Sequence, residues 1–299
     1  MEMRWRTACK TSSPRLKGLS ALILTSMVWG SSFPAIKFIV SVVDEATYTW
    51  MRGSVALISL SPYILYQLSK NMISRRTVIG GLEAGIAFTL GLWLQGWGTK
   101  YTSASNSAFI TGLFIIFVHI YDSLSNKRYS PSAFTSLVIA IMGVYLLTMP
   151  TGGIGLGEAL VLAGALFWAA QVIIVDRHSG SNPLVFTFYQ VAPTLIFLPI
   201  GLSTQGLSIS SATKILPAII YLGLVPTNLG FILQVYGQRW LGPFEASLVM
   251  LFEPVFAAIF SALLIGESFS LAWILGAVLI LTGMLIAISK STPKTMKNL

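Results

Sequence analysis

Apolar residues run through the chain in long blocks separated by short polar links. The blocks are too long for buried strands, and about 20 mostly apolar residues are what a membrane-spanning helix needs. Ten segments qualify: 18–37, 46–68, 78–98, 103–124, 131–149, 157–176, 183–203, 215–237, 243–265 and 270–289. The links are rich in Ser, Gly, Asn, Lys and Arg, and none is long enough for a soluble domain. The expectation is an all-α polytopic membrane protein of ten transmembrane helices.

Composition agrees. Of 299 residues, 55% are hydrophobic and 10% charged, against about 25% charged in soluble domains. Mean hydropathy is +0.78. The net charge of +9 raises nucleic-acid binding, but its placement speaks against that partner. With the N-terminus inside, fifteen basic residues fall on the inner side: Arg4, Arg6, Lys10, Arg15, Lys17, Lys70, Arg75, Arg76, Lys127, Arg128, Arg177, Arg239, Lys290, Lys294 and Lys297. Three fall outside, Lys37, Lys100 and Lys214, while Arg52 lies within a span. This bias orients a plasma-membrane protein with both termini cytoplasmic. Cys9 is the single cysteine, so an internal disulfide is excluded, and no Cys/His metal spacing is present. The first span reads as a retained helix and not as a cleaved signal. The Gly-rich stretch Gly152–Gly157 follows no soluble strand and reads as a turn.

The chain repeats itself at an offset of about 139 residues. Leu94-Gln95-Gly96-Trp97-Gly98-Thr99-Lys100-Tyr101 aligns with Leu233-Gln234-Val235-Tyr236-Gly237-Gln238-Arg239-Trp240. At the same offset Trp29 falls on Trp168 and Gly18 on Gly157. With one residue of slip, Gly143 falls on Gly283 and Ser130 on Ser270. Five spans per half force the second half to enter the membrane upside down. The expected domains are therefore two inverted five-helix repeats, 18–149 and 157–289, an organisation common in secondary transporters.

These residues resemble the EamA-type drug/metabolite transporters. In the first half the resemblance rests on Trp29-Gly30 and on Lys100-Tyr101-Thr102-Ser103-Ala104-Ser105-Asn106-Ser107-Ala108-Phe109-Ile110-Thr111-Gly112-Leu113. In the second it rests on Glu253-Pro254-Val255-Phe256-Ala257, Gly266-Glu267, Gly276 and Gly283. It implies alternating access to a central cavity lined by the first, third, fourth, sixth, eighth and ninth helices. It also implies a small organic substrate, with amino acids or related metabolites the first guess and export the favoured direction. One departure is visible: many relatives carry Pro late in the fourth helix, where His119 stands, so the bend of this helix is open.

Ionisable groups inside a membrane are expensive and are functional candidates by default. Glu253 is the most central, with Pro254 next to it; it reads as a substrate or proton site, or as a structural carboxyl bonded between helices. Glu83 and His119 lie toward the inner ends of the third and fourth helices, and such a pair can relay protons; the plainer reading is an interfacial carboxyl and a core histidine. Asp122 and Glu245 lie still nearer the ends. Glu267 precedes the last helix and reads as a complement to its N-terminus. Arg52 reads as a side chain that reaches outward or binds backbone carbonyls, with binding of an anionic substrate the less favoured alternative. Trp29 and Trp168 sit too deep for an interfacial belt, so each is either cavity wall or packing. Ser32 and Gln171 follow them in matching places. Asn106, Ser107 and Thr111 form a small polar stripe that serves either substrate or helix packing. Gly81 and Gly85 read as a packing face.

The substrate-binding set is thus Trp29, Ser32, Asn106, Thr111, Trp168, Gln171 and Glu253, with Glu253, Glu83 and His119 as proton-coupling candidates. No metal or cofactor is expected. The competing classes are an intramembrane enzyme built on His119, Asp122 and Glu83, and a passive channel. Against the enzyme stands the lack of His-Glu-x-x-His, paired aspartates or a serine nucleophile motif.

Overall fold

The computed structural model describes residues 2–125, 131–148, 153–203, 208–250 and 252–289. They are almost wholly helical: α1 (Glu2–Gly30), α2 (Ser32–Val40), α3 (Glu45–Ser69), α4 (Arg75–Tyr101), α5 (Ala104–Gly112), α6 (Phe114–Ser125), α7 (Pro131–Thr148), α8 (Leu156–Arg177), α9 (Pro183–Val191), α10 (Leu198–Ser203), α11 (Ile209–Leu222), α12 (Gly230–Gln238), α13 (Pro243–Met250), α14 (Phe252–Ile265) and α15 (Leu271–Ser289). A 3₁₀ turn over Ala192–Phe197 joins α9 to α10, and a π-helical segment over Gly223–Leu229 joins α11 to α12.

Every expected segment falls on helix. Several are interrupted where the sequence cannot sustain an α-helix. Pro193 lies in the 3₁₀ turn and Pro226 in the π segment; a proline has no N–H for the carbonyl four residues back. The fourth expected segment breaks at Leu113, between α5 and α6, and runs as continuous helix through His119. The interruption of this segment therefore lies at Leu113 and not at His119. Helix starts are set by local side chains. Asp44 accepts from Thr47 N at 2.8 Å, and Ser103 from Asn106 N at 3.0 Å, each meeting an orphan amide of its helix.

Among the described residues, six stretches are long and apolar enough to cross a membrane: Pro14–Val40, Arg75–Tyr101, Ala104–Tyr121, Leu156–Arg177, Pro183–Ser203 and Ile209–Gln238. Val138–Leu147, Phe252–Ile265 and Leu271–Gly283 are shorter apolar helices. The outside carries exposed Ile58, Leu65, Ile86, Leu166, Ile196 and Leu275, whereas buried polar residues include Arg52, Gln95, Gln171, Gln234 and Glu253. This inverts the usual soluble arrangement and fits a multi-pass membrane protein whose outer surface meets lipid.

Packing is densest between α4 and α8 and between α7 and α15. Helix α1 lies along α12 and touches α13 and α14; α8 touches α5 and α6; α3 packs on α9, α10 and the 3₁₀ turn. Glycines make the tightest approaches. A methyl group at Gly98 would stand 2.5 Å from the Gly157 carbonyl oxygen, and one at Gly237 would stand 3.1 Å from that of Gly18. Gly81 and Gly85 pack against α9 and its end, at Tyr189 and Pro193.

Candidate functional site

Where α1, α2, α3, α4, α5, α6, α8, α12 and α14 converge, they enclose a cavity. Its lining is Trp29, Ser32, Arg52, Gln95, Thr111, Phe114, Trp168, Gln171, Val172, Phe231 and Glu253. The atom-free space, mouth included, is about 430 Å³.

One wall is aromatic. Phe231 lies between the two tryptophans, 4.8 Å from Trp29 and 6.1 Å from Trp168 by ring centroids, nearly parallel to the latter at 15°. Phe88 packs edge-on behind both Phe231 and Trp168. Each tryptophan fits because its neighbour has no side chain. A methyl group at Gly91 would come within 3.1 Å of the Trp168 ring, and one at Gly230 within 2.4 Å of Trp29 Nε1.

The polar wall is a set of amides and hydroxyls already engaged with each other. Gln95 Nε2 donates to Thr111 Oγ1 at 3.0 Å. Gln171 and Gln234 exchange two hydrogen bonds of 3.0 and 3.2 Å, and Gln171 also donates to Gln190 Oε1. Ser32 Oγ, at the start of α2, donates to the Trp29 carbonyl in the last turn of α1, 2.6 Å away.

Arg52 is positioned by a chain of consequences from one proline. Pro226 offers no N–H to the Leu222 carbonyl. The Thr227 hydroxyl donates there instead, at 2.8 Å. With its hydrogen spent, Thr227 Oγ1 accepts from Arg52 Nε at 2.7 Å. Arg52 Nη1 donates to Tyr48 Oη at 2.6 Å, one turn earlier on α3. The guanidinium is thus clamped on one side and faces the cavity on the other, with only 3% of the residue exposed. The outward reach and the carbonyl contacts expected of Arg52 are not found among the described residues; Tyr48 and Thr227 hold the side chain inward, the placement that binding of an anionic substrate would need. Glu253, 6% exposed, lines the same cavity. Among the described residues neither group has an ion-pair partner.

The other sequence candidates lie elsewhere. Asn106 is buried, but its Oδ1 accepts from Trp273 Nε1 at 2.9 Å, tying α5 to α15 away from the cavity lining. His119 is buried on α6 and Glu83 stands on the exposed face of α4; neither lines the cavity. The side chains of Asp122 and Glu245 lie outside the described residues. Glu267 does serve a helix N-terminus, but that of α5: it accepts from Ala104 N at 2.8 Å, Ser105 N at 3.2 Å and Ser105 Oγ at 2.5 Å. The loop before α15 folds back over α5, so the nearest free amides are not those of its own helix. Sequence reasoning passed over Gln95, Phe114 and Phe231. Gln95 had a signal, since it recurs as Gln234 in the matched segment.

At one end of the bundle Lys37 Nζ donates to the carbonyls of Thr99, Lys100 and Thr102 at 2.7–3.1 Å, and Thr102 Oγ1 donates to Glu158. At the other, Arg239 donates to the Ser179 and Ser181 carbonyls at 3.1 and 2.9 Å. These are polar ties between chain segments, not interlocked apolar packing.

Comparison with known proteins decides what kind of machine this is. The EamA-like transporter family model matches residues 16–149 and again 155–289. The chain belongs to the EamA-like transporter family. An uncharacterized transporter of Archaeoglobus fulgidus is 27% identical over 91% of this chain and 86% of its own. The uncharacterized transporter YdfC of Bacillus subtilis is 26% identical over 90% and 91%. A solved crystal structure superposes with a TM-score of 0.61 over 94% of this chain and 99% of its own at 14% identity, a likeness of fold alone. This EamA-family protein is a membrane transporter, and the cavity is its candidate substrate site.

Proposed function

We propose that the protein moves a small organic metabolite by alternating access, using two five-helix halves, 18–149 and 157–289, inserted in opposite orientations. The observation that carries this is an exchange of contacts. The 139-residue offset takes Gly18 to Gly157 and Gly98 to Gly237. The contact Gly18–Gly237 thereby becomes Gly157–Gly98, and both are present. It likewise takes Trp29 to Trp168 and Gly91 to Gly230; Trp29 seats on Gly230, and Trp168 on Gly91. Helix neighbours trade the same way: α1 on α12 answers α8 on α4, and α1 on α13 and α14 answers α8 on α5 and α6. Two halves that pack reciprocally around a shared cavity can rock to open it to either side. Polar ties at both ends are the kind of contact such rocking can break and remake, which favours a transporter over a permanently open channel.

The substrate reading is an amino acid or related metabolite, moved outward, in a plasma-membrane protein with both termini cytoplasmic. The test is a thermal-shift screen of the purified protein against a metabolite library. Hits then go to radiolabelled uptake in liposomes. Saturable, protein-dependent uptake of a hit is the expected result; a library without hits, and no uptake of any compound, defeats the proposal. Orientation has its own test: labelling of Cys9 by an impermeant thiol reagent in sealed cells would contradict cytoplasmic termini.

A further inference from the structure

Resting on that transport reading, we infer that Arg52 and Glu253 together make the cavity a site for a dipolar substrate, one that presents a carboxylate to Arg52 and a cationic nitrogen to Glu253. Arg52 has five N–H donors in a flat fork. Thr227 and Tyr48 take two. Among the described residues nothing takes the rest, although the residue is 97% removed from solvent and lines the cavity. Glu253, on the same cavity, has no hydrogen bond to any described residue. A buried polar or charged group left unpaired is destabilising, so the open donors of Arg52 and the unbonded carboxyl of Glu253 both lack compensation within the described residues.

The repeat sharpens the point. The 139-residue offset relates Arg52 to Val191 and Glu253 to Phe114. Both counterparts are apolar, and Phe114 lines the same cavity. Each of the two positions therefore has an apolar counterpart in the other half, so neither group is demanded by the helix packing the halves share. What remains is recognition. A simple anion would engage Arg52 and leave the Glu253 carboxyl unbonded, and a simple cation would engage Glu253 and leave the open donors of Arg52. A dipolar ligand meets both, and its apolar side chain has Trp29, Trp168 and Phe231 to lie against. The fixed fork of Arg52 suits the two oxygens of a carboxylate.

The test uses purified full-length protein and three probe sets built on alanine, leucine and phenylalanine. Each set holds the amino acid, its amide without the carboxylate, its deaminated acid and its decarboxylated amine. Apparent affinities are read by thermal shift and isothermal calorimetry. At least one amino acid should bind the wild type roughly tenfold or more tightly than its own three analogues, the worth of one charge-assisted hydrogen bond. Arg52→Gln should erase the preference for amino acid over amide while keeping that over the deaminated acid. Glu253→Gln should do the reverse, and Arg52→Lys should fall between. If the wild type binds no probe, binds amino acid and analogues alike, or keeps its carboxylate preference in Arg52→Gln, the inference is overturned. The wild-type comparison decides even if a variant fails to fold. Liposome uptake separates the two readings. Transport of a library compound lacking one of the two charges, without amino-acid binding, would end the inference and leave transport standing.

Discussion

Trp29 and Trp168 occupy related seats in the two halves, yet their indole N–H groups have different fates. Trp29 Nε1 donates to the Pro226 carbonyl at 3.0 Å. Trp168 Nε1 is buried without an acceptor among the described residues. The difference lies in the facing helix. Trp29 meets α11–α12, where the π segment over Gly223–Leu229 frees a carbonyl. Trp168 meets α4, unbroken from Arg75 to Tyr101, where Ala87 holds the place of Pro226 and an intact helix engages its carbonyls. Both tryptophan seats thus keep shape complementarity, and only the one facing the π segment adds a hydrogen bond. The same π segment, through Thr227, orients Arg52.

The sharpest way to break this comparison is to crowd the glycine seats. In Gly98→Ala the new methyl meets the Gly157 backbone oxygen at 2.5 Å; in Gly237→Ala it meets the Leu22 side chain at 2.6 Å. Backbone cannot step aside, whereas a leucine side chain can turn. Gly98→Ala should lose about 1–3 kcal/mol of stability and Gly237→Ala clearly less, measured by unfolding in detergent. Equal losses would mean that the halves yield alike.

Next come the two threonines on the facing helices. Thr227→Val removes the hydroxyl that serves both Leu222 and Arg52 and should cost about 1–3 kcal/mol, with weakened ligand binding. Thr89 on α4 buries a hydroxyl without a partner among the described residues, so Thr89→Val should be neutral or stabilising. The tryptophans give a smaller contrast. Trp29→Phe and Trp168→Phe lose the same volume, but only the first loses a hydrogen bond. The gap between them should be about 0.6–1.7 kcal/mol, the range for such bonds inside membranes. No gap would mean that the Trp29–Pro226 bond contributes nothing.

Much of this was legible in the sequence, for reasons that also explain what was not. Each segment that hydropathy picks out falls on helix, because lipid exposure demands long apolar runs. Hydropathy did not locate the interruption at Leu113, where no proline or polar run marks it. The repeat pointed to Trp29 and Trp168 because identical residues at a fixed offset carry positional information. Ser32, Thr111, Gln171 and Glu253 fall on the cavity with them. Asn106 looked equivalent to Thr111, but five residues along a helix turn a side chain to another face, toward Trp273. The inward turn of Arg52 is not legible in the sequence, because closeness to a segment end says nothing about which neighbours hold the side chain. Tyr48 is local in sequence, but Thr227 is 175 residues away.

The smallest structural change tests the one candidate for proton coupling that reaches the cavity. Glu253→Gln preserves side-chain shape, and Glu253 has no hydrogen bond among the described residues to lose, so folding should be nearly unchanged. The variant is compared with wild type in liposome uptake, with and without an imposed pH gradient. The expected outcome is lower uptake in the variant with the same fractional response to the gradient, because the carboxylate is engaged by the substrate's cationic nitrogen. A response present in wild type and absent from the variant would instead make Glu253 the coupling site. Glu83 and His119 stand away from the cavity, so Glu83→Gln and His119→Gln serve as controls and should leave the gradient response intact. If wild type itself ignores the gradient, the protein is a facilitator or exchanger. The contrast between Glu253 and its repeat counterpart Phe114 then concerns substrate charge alone.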